Sequence, residues 1–100
     1  MEEVEVTPQQ EFLGLVKAEL ECHVTRVMDE LPASVQDLFG PMMTEVVHSS
    51  AMGVMNVISG FHPGSTGYWL IPKDAIESYG MDAVDIAPQL STEYFKLINT

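Results

Sequence analysis

GYWLIP, residues 67–72, is the stretch on which the fold class turns. Tyr68-Trp69-Leu70-Ile71 is the best strand candidate in the chain, rich in aromatic and branched side chains and closed by Pro72. If it pairs, the fold is α+β; if it does not, helices are all that remain. The expectation is an α+β domain, mainly helical, built from two long amphipathic helices, a turn, this short strand and a C-terminal helix or strand. An all-α fold is the alternative.

Immediately upstream, GFHPGSTGYW (residues 60–69) has the glycines and the Ser-Thr pair of a phosphate-cradling loop. A Walker-type loop needs G-x-x-x-x-G-K-[ST] between a strand and a helix, with the lysine neutralising phosphate. Gly64-Ser65-Thr66 has no such lysine, and the expected order is helix then strand. Gly60, Pro63, Gly64 and Gly67 are the residues that turns demand for backbone reasons. The loop therefore reads as a joint, with Phe61, Tyr68 and Trp69 anchoring it to the core.

Before the loop, Pro41 to Ser59 reads as a helix ended by Gly60, with Gly40-Pro41 separating it from a short helical turn over 34–39. Its apolar arc is wide, including Val46, Val54, Val57, Met43 and Met55, so it is expected to be the central core helix. Ser49, Ser50, Ala51 and Gly53 are small enough to let another backbone approach closely. Met43 and Met55 fall on the buried arc, whereas Met42 and Met52 fall near its polar side, where either core filling or partner contact fits.

The first helix starts at Thr7-Pro8-Gln9-Gln10, with Thr as N-cap, Pro at the first helical position and Gln three residues after the cap. It is expected to run to about Leu31, before Pro32. At about 100° per residue, Leu13, Val16, Leu20, Val24, Val27 and Leu31 form one narrow stripe. Glu11, Glu19, Glu21, Asp29 and Glu30 lie on the other side, and Phe12 and Leu15 fall outside the stripe. Val4 and Val6 form a candidate edge strand. After Pro72, Asp74 to Tyr79 reads as one or two helical turns closed by Gly80. Leu90, Tyr94, Leu97 and Ile98 suit a helix, although 93–98 also alternates as a strand would.

The chain has 100 residues, enough for one domain, and 46% hydrophobic residues, enough to fold. Fifteen acidic residues face four basic ones, a formal charge of −11. This argues against direct contact with nucleic acid or anionic membrane, which require Lys and Arg. Cys22 is the single cysteine, so no internal disulfide is available, and the acidic MEEVEV start lacks the character of an export signal. The longest apolar-leaning run, 42–61, carries Glu45 and His48 and argues against a membrane span. A soluble, cytoplasmic chain is expected, in a host's cytoplasm if the source is viral.

Catalytic and metal patterns are sparse. Adjacent Cys22 and His23 point about 100° apart on a helix, and with His48 and His62 they match no metal-ligand spacing. Neither metal nor cofactor is expected. Cys22 with a distant His is the one thiol pair available, Ser49, Ser50 and Ser59 lack a G-x-S-x-G setting, and Asp82 and Asp85 are loop acids. No enzymatic activity is expected, since a pocket is hard to build in so small a domain.

Residues 1–30 hold eight acids against Lys17 and Arg26. Uncompensated like charge opposes folding, so it calls for an offsetting use. The expected function is a non-enzymatic interaction protein that docks Glu11, Glu19, Glu21, Asp29 and Glu30 onto a basic, nucleic-acid-binding protein. In its sharper form it blocks that protein's nucleic-acid site as a mimic. In size, charge and lack of a catalytic motif the chain resembles phage-encoded anti-restriction and anti-CRISPR inhibitors. The alternative is a self-associating structural or adaptor subunit, possible as a homodimer, whose seam is the Leu/Val stripe and exposed Met.

Overall fold

The computed structural model describes residues 6–99, the side chain of Met81 excepted. Its helices are α1 (Pro8–Asp29), α2 (Ala33–Ser59), α3 (Lys73–Tyr79) and α4 (Leu90–Ile98), with a 3-10 turn over Gly80–Asp82. No strand occurs among the described residues, so the fold is all-α and the α+β expectation is overturned. The candidate edge strand at Val4 lies outside the described residues, and Val6 is exposed and non-helical.

The expected strand over 68–71 fails for want of a partner. Its Tyr68 amide donates to the Ile58 carbonyl at the end of α2 (2.7 Å), and its Leu70 amide donates to Oδ1 of Asp85 (2.8 Å). One main-chain bond, from the Ile86 amide to the Leu70 carbonyl (2.7 Å), joins it to the 83–87 segment. These two backbone donors are thus satisfied, but by a helix end and a carboxylate rather than a ladder. The aromatic anchors are also corrected: Phe61, Tyr68 and Trp69 are exposed, Trp69 at 86%, and Leu70 is the residue that packs against the core.

The start of α1 follows its sequence signature. Thr7 Oγ1 accepts from the Gln10 amide (3.2 Å), and Gln10 Oε1 accepts from the Thr7 amide (3.0 Å). This capping box satisfies two donors that the first turn would leave orphaned. Met28 is buried towards the helix end whereas Val27 is exposed, so the dry arc turns slightly away from the expected stripe there. Phe12 packs against the core and Leu15 stays in solvent.

α2 differs from expectation in its length. It runs unbroken through Gly40-Pro41, where a break was expected. Pro41 cannot donate to the Asp37 carbonyl one turn back, a loss that ordinarily ends a helix. Proline also pushes its predecessor out of helical conformation by clashing with that residue's Cβ; Gly40 has none, which permits the passage. At the other end Gly60 adopts φ 85° and terminates the helix, as expected. A Cβ there would lie 3.2 Å from backbone atoms of Thr66 and Gly67, so the loop crosses the helix end at glycine-only distance.

A three-residue link folds α1 and α2 into a helical hairpin, and α4 packs against both. Leu13, Met55, Leu90 and Tyr94 form the buried cluster, flanked by half-buried Val16, Leu20, Ala51, Met52 and Leu97. The C-terminal ambiguity resolves as helix because Leu90 and Tyr94 share one face, and both are fully buried. α3 touches none of the other helices. The expectation for α2 as core helix holds only for one side: Met55 and His48 are buried, but Val46 and Val54 are exposed.

Candidate interaction surfaces

The five acids expected to dock a partner are spread along the length of α1, from its first turn to its C-cap. Glu21 Oε1 pairs with Lys17 Nζ at 2.7 Å, one turn away. Glu19 Oε1 lies 3.0 Å from His23 Nε2, and the His23 Nδ1 lies 2.6 Å from Arg26 Nη2. Since a guanidinium only donates, Nδ1 accepts and the ring proton sits on Nε2, directed at Glu19. His23 therefore bridges an acid and a base along α1. Glu11, Asp29 and Glu30 are exposed and form no ion pair among the described residues. Glu11 borders a groove of about 470 Å³ between α1 and α3, while Asp29 and Glu30 sit at the opposite end of α1. At that end the helix dipole is already negative, which disfavours them.

His48 and Tyr94 are the pairing that sequence spacing missed. They lie 46 positions apart, on α2 and α4, and both are buried. The Tyr94 hydroxyl is 2.6 Å from His48 Nδ1, and the rings are tilted with centroids 5.5 Å apart. Burial raises the pKa of the Tyr94 phenol above its ordinary 10.0, and the nearby Glu21 carboxylate raises it further. The phenol therefore keeps its proton, and its hydroxyl is hydrogen-bonded to His48 Nδ1. His48 borders a cavity of about 610 Å³ whose polar lining also includes Lys17, Glu21, Glu45 and Ser49.

This pair gives the fold a pH dependence of definite sign. The folded chain holds the Tyr94 proton more tightly than the unfolded chain does, so its contribution is complete below about pH 10 and fades as pH rises through the higher folded value. The melting temperature is expected to fall between about pH 9 and pH 11, and to fall less in Tyr94→Phe. Thermal melts of both proteins across that range check it; identical slopes would remove Tyr94 as the cause.

The other candidates are placed apart. Cys22 is exposed and does not line that cavity, so thiol and imidazole do not meet there. His62 is occupied within its own turn, where Nδ1 accepts from the Gly64 amide at 3.0 Å. The amides that a phosphate loop would turn outwards are used inwards: Gly67 donates to Ser65 Oγ (3.0 Å) and Tyr68 to Ile58. Asp85 is structural, because Oδ1 accepts from both Leu70 and Ala87 amides. No group of three potential metal ligands occurs among the described residues. No helix among them is long and apolar enough to cross a membrane.

What the surface does offer is apolar area. α2 carries Asp37 and Glu45 as its only acids and no Lys or Arg over 27 residues. Yet Leu38, Phe39, Met42, Val46 and Val54 along it are exposed. No protein-family model matches the chain, and no curated protein or solved structure is significantly similar to it.

Proposed function

We propose that this chain is a non-catalytic assembly subunit that completes its apolar burial against a second polypeptide, in the first instance a copy of itself. The observation that carries this reading is how little the fold buries alone. A compact monomer of 11.0 kDa exposes about 5,600 Å², whereas this one exposes 7642 Å². Its radius of gyration is 16.4 Å, against about 13 Å for a compact chain of this length. The excess of about 2,000 Å² exceeds the ~800 Å² that each partner gives to a standard interface.

Sedimentation equilibrium at micromolar concentration tests the reading. The expected result is a mass that is a multiple of 11.0 kDa. A monomer at every concentration would overturn it.

A second reading is favoured by Glu11, Asp29 and Glu30, which stand exposed in a chain of charge −11. In it the acidic surface docks on a basic, nucleic-acid-binding protein and inhibits it. Salt separates the two uses. Screening weakens acid-to-base docking, but strengthens association between like-charged copies.

A further inference from the structure

The solvent face of α2 has an internal order that its exposure alone does not convey. Val35, Phe39, Met42, Val46, Ser49 and Gly53 follow one another in alternating steps of four and three, the spacing of a helix–helix seam. This line lies opposite the face on which His48 and Met55 are buried. Phe39, Met42 and Val46 are 42%, 58% and 56% exposed. Ser49, Ser50 and Gly53 are exposed as well, so the seam is bulky in its first half and shallow in its second.

Gly14, Gly40 and Gly53 all lie within helices with open space beside them, and Gly53 is the one that falls on this line. A Cβ added there meets nothing within 4 Å. Mid-helix glycine costs about 1 kcal/mol relative to alanine, with no close approach inside the protomer to require it. On this line the missing side chain leaves room for a second helix backbone to come near.

We infer that two copies of this chain pair through α2 in antiparallel orientation about a two-fold axis, each Phe39 seating in the hollow that Val46, Ser49, Ser50 and Gly53 frame on the other copy. The inference rests on the assembly reading above and names its partner and seam. Turning the helix end for end brings the bulky half of one copy onto the shallow half of the other. The axis then lies between Met42 and Val46, each meeting the other across it, close to the midpoint of α2. A parallel pair would instead stack Phe39 on Phe39 and Gly53 on Gly53, a wedge, with helix dipoles aligned unfavourably. Full overlap runs along most of a helix about 40 Å long. Asp37 and Glu45 lie off the seam line, though the two Glu45 carboxylates come to share one flank near the axis. Together with the charge of −11 per copy, this makes the dimer tighten as salt is added.

The test uses the whole chain with Cys22→Ser in every sample. Met42→Cys and Val46→Cys variants are oxidised separately and as a mixture. The expected result is a covalent dimer in the mixture and little in either variant alone; a parallel seam reverses this, and equal yields in all three overturn the inference. In parallel, Gly53→Leu is compared with the parent by sedimentation and circular dichroism. Leucine is the better helix former and faces open space, so helicity is expected to hold while the dimer dissociation constant rises roughly tenfold or more. A dimer of unchanged affinity in Gly53→Leu overturns the seam but leaves assembly standing. A parent protein that is monomeric throughout overturns both.

Discussion

Tyr94→Ala is expected to unfold most of the protein at moderate temperature. Tyr94 is fully buried in the four-residue central cluster, and its hydroxyl is hydrogen-bonded to His48 Nδ1. Emptying a buried aromatic site costs about 3–5 kcal/mol, and stranding a buried polar atom adds about 1–3 kcal/mol. A 100-residue domain has about 5–15 kcal/mol in all, and one that buries as little as this belongs at the low end. The measurement is a thermal melt by far-ultraviolet circular dichroism. Tyr94→Phe, which keeps the ring and drops the bond, is expected to lose about 1–3 kcal/mol. A Tyr94→Ala protein melting within a few degrees of the parent would mean that α4 is not part of the cooperative core.

The second large effect has the opposite sign. Pro41→Ala is expected to stabilise the protein by about 2 kcal/mol. A proline inside a helix costs about 3 kcal/mol, of which about 0.4–1 kcal/mol is returned because proline also restricts the unfolded chain. Pro41 is exposed, so alanine gives up little buried area there. A gain of this size raises the midpoint by roughly 10 °C. A neutral or destabilising substitution would instead restore the break at Gly40-Pro41, since proline at a first helical position costs nothing.

That contrast shows where the sequence was readable. The α1 start needed only local chemistry, and the Thr7–Gln10 box appears as its spacing implies. Gly40-Pro41 is ambiguous by the same local rules, because the pair that stops one helix is also the pair that lets a proline pass with least clash. The 68–71 segment has strand-like residues, but a strand exists only by virtue of a neighbour, and its carbonyl and amide partners come from Ile58, Asp85 and Ile86. The i,i+4 spacing of Lys17 with Glu21 and of Glu19 with His23 was legible, and it gives two of the five acids local partners. The His48–Tyr94 bond was not, since nothing local ties position 48 to position 94.

The exposure of Trp69 has a practical spectroscopic consequence. The only indole in the chain sits in water while the protein is folded, so its emission will change little when the core melts. Tryptophan fluorescence, the customary reporter of folding, is nearly silent here about folding. The same silence makes it a clean optical signal for contact: a blue shift at Trp69 reports that some other surface has arrived to dry it.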